Sequence, residues 1–323
     1  MDEQVAQVLQ ELSDLNTQVR NGEVYQSLGT RLGKIMDGIH RRRRTAVQLP
    51  DDGDDIQDIL EELRSQLNEN VPVTLSRAQM ANLIDHLSSL DPGLRYQGIN
   101  FSLYDALQQN ALDSRQLTYL FQKLRDPAAL FDHILEPANA AVFGRAGRVA
   151  MLAVLLHFIS PEKVPVDPDL QPTVVLAAAY LCLETDTRGF VNHYGWAHAF
   201  TAATDLLSVL AGNQNLTRAD KLFLMMTLIE RIKRLNTPLI YGENDRIATF
   251  LTELANRHDL YEETLLLALK SWRQQVALHR RPDTIAGWNR FFNRKRLLDS
   301  LRLQESLPES LKKYLNSTID FLG

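Results

Sequence analysis

Hydrophobic residues recur along most of this chain at intervals of three and four positions, the spacing that places side chains on one face of an α-helix. The first amphipathic segment has its apolar positions at Val5, Val8, Leu12, Leu15 and Val19, and it ends at Asn21-Gly22. No stretch alternates apolar and polar residues between hairpin turns, which would indicate β-strands. The pattern therefore predicts an all-α protein.

Short polar breaks divide the pattern into a series of helices. A second segment runs from about Glu23 into the basic run HRRRR, His40 to Arg44. The later helices are predicted at about 55–69, 76–90, 115–124, 145–159 with a stop at Ser160-Pro161, 173–184, 194–211, 217–235, 245–256, 261–278, 284–303 and after Pro308. Ser76, Thr217, Asn244 and Asp283 stand near predicted helix starts, and all four are residue types that favour the N-cap position.

One segment between predicted helices has the composition of a linker. LPDDGDD, Leu49 to Asp55, contains Pro, Gly and four Asp in seven residues. It divides the chain into an N-terminal helical hairpin extension, residues 1–50, and a main helical domain, residues 51–323. Because helices joined by short connections pack as antiparallel neighbours, the long series favours a stacked α-solenoid, with a compact helical bundle as the alternative.

Composition limits the kinds of partner, compartment and cofactor that we expect. Hydrophobic residues make up 45% of the chain and charged residues 23%, with a net charge of −5, which gives no bias towards nucleic acid or anionic membranes. The single cysteine, Cys182, lies in an apolar run and excludes an intrachain disulfide, so we expect a cytoplasmic protein. No motif for a cofactor is present, and we expect none to be bound.

The stretch from Gly195 to Gly212 is the main candidate for function. It predicts a helix whose core side carries Trp196, Phe200, Ala203, Leu207 and Leu210. The aromatic residues Phe190, Tyr194 and Trp196 are expected in the core, with the floor of a binding pocket as the alternative. The other side of this helix carries His198, Thr201, Ala202, Asp205, Ser208 and Val209. A solvent-facing surface would normally carry Lys, Glu or Arg, so we expect this side to face a groove or an interior polar network.

Charged residues in nearby turns are candidate partners for this helix. The predicted ligand-binding set is Trp196, His198, Asp205, Asp186, Arg188, Glu243, Asp245 and Arg246. His198 and Asp205 lie two helical turns apart, about 10 Å along the axis, so we expect no shared metal ion. The 242–246 turn itself is expected to cap a helix, since acidic residues are favourable near a helix N-terminus.

Five pieces of the sequence resemble a bacterial family known only as a domain of unknown function, number 2785. They are Leu90-Asp91-Pro92 with Leu94-Arg95, Val142-Phe143-Gly144-Arg145, Asp186-x-Arg188-Gly189-Phe190, Gly195-Trp196-Ala197-His198-Ala199 with Asp205-Leu206-Leu207, and Gly242-Glu243-x-Asp245-Arg246. The resemblance covers about residues 56–290 and implies a HEAT-like solenoid without an established activity. The family motif has a second His four positions after the first, where this chain has Ala202, so a metal-binding His pair is not expected.

Two functional hypotheses remain open at this point. The first is a non-enzymatic scaffold that binds a protein, a peptide or a small ligand in a concave groove near His198. The second is a hydrolase-like enzyme in which His198 is the general base, oriented by Asp205 or Asp186. A weaker third hypothesis assigns Arg41–Arg44 to contact with an acidic partner, whereas nucleic acid and membranes are not expected partners.

Overall fold

The computed structural model describes residues 1–159, 170–278 and 282–317, and in these ranges the fold is α-helical apart from one very short hairpin. The helices are α1 Glu3–Arg20, α2 Leu28–Asp37, α3 Ile56–Asn68, α4 Arg77–Asp85, α5 Phe101–Gln108, α6 Ser114–Leu124, α7 Pro127–Leu130, α8 Val142–Phe158, α9 Gln171–Leu183, α10 Ala199–Gly212, α11 Arg218–Arg234, α12 Glu243–Ala255, α13 Asp259–Ala277, α14 Ile285–Arg302 and α15 Glu309–Ser317. A 3₁₀ turn, His86–Ser88, follows α4, and a π-helical segment, Gly93–Asn100, leads into α5. The predicted all-α class is confirmed.

Local sequence signals account for several of the helix starts. Ser76 and Thr217 form capping boxes at α4 and α11, as predicted from the sequence. Two predicted caps are wrong by one or two residues, because α12 begins after Gly242 and α14 begins after Thr284. Asn244 instead lies inside α12, where its amide donates a 3.1 Å hydrogen bond to the backbone oxygen of Leu239.

The basic run after α2 does not continue that helix, which corrects the predicted boundary. The helix ends at Asp37 with Gly38 as its C-cap, and residues 40–50 have no regular secondary structure. The run packs instead along the loop after α7, where the backbone N–H of Arg42 donates to Leu135 O at 2.8 Å. Arg44 donates to Ala138 O in the same loop. The predicted stop at Ser160-Pro161 lies outside the described residues.

The helices of the second half pack in two rows. In one row α8, α10, α12 and α14 contact one another in succession, and in the other α9 contacts α11, which contacts α13. Each helix therefore packs against the next but one along the chain, and α10 also touches α9 and α11 across the rows. Most of the buried apolar side chains form one continuous core.

The N-terminal helices lie against the second row. Both α1 and α2 contact α9 and α11, and their apolar faces belong to the main core. Asn16, fully buried in α1, donates a 3.1 Å hydrogen bond to the carboxylate of Asp220 in α11. Tyr25 and Thr264 share a 2.9 Å hydrogen bond between hydroxyls. The division at residue 50 stays a prediction, while these contacts show that residues 1–38 are packed rather than separate.

None of the helices in the described ranges combines the length and the apolarity that a bilayer span requires.

Candidate functional site

An open groove of about 1220 Å³ lies between α5, α8, α10 and α12. Its floor is built from small side chains of α8 and α10, which let the two helices approach closely and leave a shallow surface between the walls. These residues are Ala146, Gly147, Ala150, Thr201, Ala202 and Ser208. The unusual polar side of the 195–212 stretch therefore faces this groove, and its apolar residues Phe200, Ala203, Leu207 and Leu210 are buried.

The start of the stretch is a hairpin rather than a helix. This corrects the predicted helix start at Gly195 and the prediction that the chain has no β-strand. Strands β1 Phe190–Val191 and β2 Gly195–Trp196 pair antiparallel, and α10 begins only at Ala199. The backbone N–H of Ala197 donates to Gly189 O at 2.8 Å, so it is committed to the hairpin. Gly195 has φ +73°, a left-handed conformation that suits glycine and departs from the helix.

His198 is the residue that connects the hairpin to α10. It is the N-cap of the helix and has φ +52°, a left-handed conformation that non-glycine residues adopt at an energetic cost. Its backbone N–H donates to Arg188 O at 3.2 Å. The backbone thereby sets the position from which the ring reaches the groove edge.

Trp196 of the hairpin and Tyr241 form one aromatic wall of the groove. Trp196 was predicted to lie in the core, but 39% of its surface is exposed, and Phe190 and Tyr194 are exposed as well. The Trp196 ring stacks on His198 with centroids 4.3 Å apart and an angle of 16°. Tyr241 meets Trp196 edge to face at 5.6 Å. The hairpin thus presents aromatic surface to solvent because its strands are too short to cover it.

The opposite wall was not predicted from the sequence. Tyr96, Phe101 and Tyr104 line it from the π-helical segment and α5, and each is at least one-third exposed. Three aromatic residues within nine positions were the signal available in the sequence. The π-helical segment carries Tyr96, and α5 carries Phe101 and Tyr104.

Arg95 joins this wall to the hairpin. Its buried guanidinium donates hydrogen bonds to the backbone oxygens of Ser89 and Tyr194. The same group lies over the Phe143 ring, 4.3 Å from its centroid. A separate small apolar cluster lies beneath it and contains Val142, Phe143, Ala146, Ala197 and Ala199, with Leu90 and Val191 packed against it. The two walls are therefore held together by contacts between distant parts of the chain.

His198 is not arranged as a general base with a carboxylate partner. Within the described ranges, its side chain has one hydrogen-bond partner, the Thr201 hydroxyl at 3.3 Å from Nδ1, and it forms no ion pair. Burial lowers the pKa of His198, and the positive charge of Arg246 lowers that pKa further. The ring is consequently neutral at pH 7 and offers a flat aromatic face.

Asp205 faces Arg246 rather than His198. The Arg246 Nη1 and Asp205 Oδ1 atoms are 2.9 Å apart, and the two side chains are 55% and 45% exposed. Burial raises the pKa of Asp205, and the ion pair with Arg246 opposes that rise. The pair lies on the open side of the groove, not in a dry core.

The groove carries more negative than positive charge. Its lining includes the four acids Asp105, Asp205, Asp245 and Glu253, and the two cations Arg95 and Arg246. Asp245 accepts a 2.6 Å hydrogen bond from Ser300. Asp105 and Glu253 are exposed and form no ion pair with a residue in the described ranges. The lining thus has a formal charge of −2, and two of its acids are available to a ligand.

Three predicted site residues lie outside the groove lining. Asp186 is buried and accepts hydrogen bonds from Arg188, with Nε to Oδ1 at 2.9 Å. Glu243 is buried at the start of α12 and accepts from the backbone N–H of Tyr241 at 2.8 Å. Burial raises the pKa of Glu243, and hydrogen bonds from the adjoining backbone oppose this shift. These side chains shape the turns beside the groove.

Two other kinds of site are a metal centre and a nucleophilic cysteine. Across the described ranges, no group of three or more His, Cys, Asp or Glu side chains could hold a metal ion. Cys182 is fully buried, and burial raises the pKa of its thiol to about 12. The thiol is therefore protonated at neutral pH and does not act as a nucleophile.

Comparison with known proteins gives one match. A family model described as "Protein of unknown function (DUF2785)" matches residues 130–303, more than half of the chain. The match begins later and ends later than the predicted range of about 56–290, so it leaves out the piece from Leu90 to Arg95. A search of the curated proteins and a search of the solved structures each found no match.

Proposed function

The chain belongs to the DUF2785 family, whose function is unknown, and we propose that it is a non-enzymatic binding module whose groove holds an extended peptide segment with basic side chains. The observation that carries this proposal is the combination of two exposed aromatic walls with acidic side chains that lack ion-pair partners among the described residues. Each part of that combination favours a different feature of the ligand.

The size of the groove favours a polymer segment over a compact small molecule. Pockets for drug-sized ligands have volumes of about 300–1,000 Å³ and enclose most of the ligand. This groove, at about 1220 Å³, is larger than that range and open along one side. An extended peptide fits an open channel of this kind, because its backbone can lie on the small residues of the floor.

The two walls favour apolar or aromatic side chains in the peptide. Exposed aromatic rings are enriched at protein-binding surfaces, since they bury a large area with little loss of conformational freedom. Trp196 is already held in place by stacking with His198 and by edge contacts with Phe190 and Tyr241. A fixed ring of this kind binds a partner at a low entropic cost.

The acidic lining favours Lys or Arg in the peptide. Asp105 and Glu253 have no ion-pair partner among the described residues, and a basic side chain would provide one. Complementary charge also raises the association rate and discriminates against acidic ligands. A nucleic acid is therefore disfavoured at this groove.

We also infer that the two rows of helices form a HEAT-like solenoid, with the groove along one of its faces. The support is the packing of α8, α10, α12 and α14 in succession beside α9, α11 and α13. Stacked helical hairpins bring every second helix together in this way. A compact bundle, by contrast, would pack its helices around a common axis.

No observation favours the enzyme hypothesis. A general base needs an orienting group and an open position for the reacting atom. His198 has Thr201 beside its Nδ1 atom, while Asp205 and Asp186 are paired with arginines. The groove therefore lacks the His–carboxylate geometry on which that hypothesis depends.

The test is selection from a displayed library of random dodecapeptides on the purified full-length protein. We expect the selected peptides to be enriched in Lys or Arg together with aromatic residues. Trp196→Ala should weaken the affinity of a selected peptide by at least about tenfold, or about 1.4 kcal/mol, measured by fluorescence polarisation. Glu253→Gln should weaken it less and should reduce its dependence on salt.

The matched control is Phe292→Ala, because Phe292 is 42% exposed on α14 and does not line the groove. We expect this variant to bind the selected peptide as the wild type does. Equal affinity for wild type and Trp196→Ala, or selected peptides without basic residues, would refute the proposal. Binding of small molecules alone would also contradict it.

A further inference from the structure

A second cavity, of about 800 Å³, lies between helices of both rows and shares no lining residue with the groove. It is an open cavity lined by α11, α13, α14, the end of α2 and the chain that follows α2. Its volume falls within the range of about 300–1,000 Å³ that is usual for small-molecule sites. The apolar part of its lining includes Trp272 and Phe291.

The charges that line this cavity are mostly positive. Six Arg or Lys side chains contribute to it against two acids, Asp37 and Asp283. Two of the six, Lys233 and Arg234, are neutralised by ion pairs with Glu230, and Arg234 also pairs with Asp37. The remaining cations determine what the cavity can bind.

Arg231 is the most unusual of these cations. Only 4% of its surface is exposed, and its Nε atom is buried without a hydrogen-bond partner. Within the described ranges, Arg231 forms no hydrogen bond and no ion pair. A buried charge without a partner destabilises the folded protein, because its lost hydration is not replaced.

Burial and the neighbouring cations act on Arg231 in the same direction. Burial lowers the pKa of Arg231 to about 10, the positive charges of Arg41 and Arg234 contribute to the lowering, and Cys182 and Glu184 oppose it. The group still carries its charge at neutral pH. An anion beside it would remove both the unpaired donor and the repulsion.

Two further arginines of the cavity have no carboxylate partner among the described residues. Arg41 donates from Nη1 to the backbone oxygen of Ile134 at 2.9 Å, and Arg290 donates from Nη1 to the amide oxygen of Asn236 at 2.7 Å. Each of these hydrogen bonds is made to a neutral acceptor, and Glu184, which forms its ion pair with Arg145, acts on Arg41 only through space. Three guanidinium groups without a carboxylate partner thus line one cavity.

We propose that this cavity is a binding site for a small organic phosphate, whose anionic group pairs with Arg231, Arg41 and Arg290 and whose organic part packs on Phe291. Guanidinium groups match phosphate oxygens through paired, charge-assisted hydrogen bonds. A phosphate group has three terminal acceptor oxygens, one for each of the three guanidinium groups, whereas a carboxylate has two. The adjoining aromatic lining favours a phosphate ester over free phosphate.

The experiment measures the melting temperature and the anion affinity of the full-length protein with inorganic phosphate, pyrophosphate and citrate, against sodium chloride at matched ionic strength. Phosphate and pyrophosphate should raise the melting temperature more than chloride does. Replacing Arg231 with Met, which keeps much of its length without its charge, should weaken phosphate affinity by about tenfold or more in calorimetry. Without anion this variant should melt at or above the wild-type temperature, because an unpaired buried charge has been removed.

Arg290→Met is the second variant, in case Arg231→Met does not fold, and it should also weaken phosphate binding. Arg115→Met is the matched control, because Arg115 is exposed and does not line this cavity. It should bind phosphate as the wild type does. Unchanged phosphate affinity in both cavity variants would overturn the proposal, as would a wild-type response to phosphate no larger than that to chloride. A response to citrate without one to phosphate would overturn the assignment of a phosphate ligand.

Discussion

At the scale of single residues, the groove depends on side chains held in place by backbone geometry. His198 is fixed by its left-handed conformation and by a backbone hydrogen bond to Arg188, and it then supports Trp196 by stacking. Gly189 lies behind this pair, and a Cβ atom there would be 2.2 Å from the Tyr241 ring. The aromatic wall therefore depends on two positions. His198 has to adopt a left-handed conformation, and Gly189 has to lack a side chain.

The pKa of His198 gives the first prediction. Replacing Arg246 with Gln removes a positive charge that lowers this pKa, so we expect the pKa of His198 to rise towards its ordinary value. NMR titration of the ring protons in the wild type and the variant measures the change. Arg115→Gln is the control and should leave the titration unchanged. A pKa that stays the same in Arg246→Gln would contradict the electrostatic contact.

The same shift predicts a pH dependence of stability. Because the pKa of His198 is lower in the folded protein, the unfolded chain binds the proton more tightly. The contribution of this residue is therefore fully present above about pH 6.5 and is lost as pH falls through the lowered folded pKa. Urea unfolding of the wild type and His198→Gln across this range should show a steeper acid decline for the wild type. Parallel curves would argue against it.

A further prediction concerns Gly189, where the structure leaves no room for a side chain. Gly189→Ala should displace Tyr241, because the added methyl group overlaps its ring. We expect a loss of about 1–3 kcal/mol in the free energy of unfolding and a shift in the Trp196 fluorescence. Gly22→Ala probes a different cost, since nothing lies near its Cβ position but its φ is +76°. Unchanged fluorescence in Gly189→Ala would show that the wall tolerates the displacement.

At the scale of elements, buried polar contacts set how the helices meet. Arg145 of α8 and Glu184 at the end of α9 form an ion pair with Nη2 and Oε2 2.9 Å apart, and both side chains are 2% exposed. Glu184 also accepts hydrogen bonds from the backbone N–H groups of Thr185 and Asp186, and Arg145 donates to Asp132 O at 2.7 Å. This pair therefore fixes the turn from which the hairpin starts.

Removing one partner of this pair should be costly. Glu184→Gln leaves the buried Arg145 charge uncompensated, and we expect a loss of about 3–5 kcal/mol in the free energy of unfolding by urea. The matched control is Asp299→Asn, which breaks the exposed pairs of Asp299 with Lys295 and Arg302 and should cost at most about 1 kcal/mol. Similar losses in the two variants would show that burial does not decide the effect.

At the scale of the whole molecule, distant segments complete one another's cores. The helices α1 and α2 cover α9 and α11, and α9 is apolar on all sides. A helix of that kind has to be buried on every face. The N-terminal hairpin therefore supplies surface that the second row needs.

Deleting residues 1–38 tests this dependence. The deletion uncovers apolar faces of α9 and α11, so we expect the truncated chain to associate and to lose its cooperative thermal transition. Size-exclusion chromatography and calorimetry measure the two effects. A monomeric truncated chain with the wild-type melting temperature would contradict this dependence. It would show that residues 1–38 are a separate unit that the rest of the fold does not need.

The sequence by itself determined the helices, because their apolar spacing and capping residues are local signals. Thr217 and Ser76 begin their helices as predicted, and Phe200 and Leu207 are buried as their spacing indicates. The sequence also indicated that the polar side of α10 was not an ordinary surface, since a helix face without Lys or Glu can be recognised locally.

Only the tertiary structure decided what that side faces. The hairpin forms because residues near Gly195 meet residues about a hundred positions earlier, where Arg95 binds Tyr194 O and where a Cβ on Gly195 would lie 3.0 Å from Pro92. These contacts expose Trp196, which a helix would have buried. The second cavity is likewise lined by Arg41, Arg231 and Arg290, which come from three separate segments of the chain. Periodicity describes neighbours along one helix, whereas both sites are made by side chains that only packing brings together.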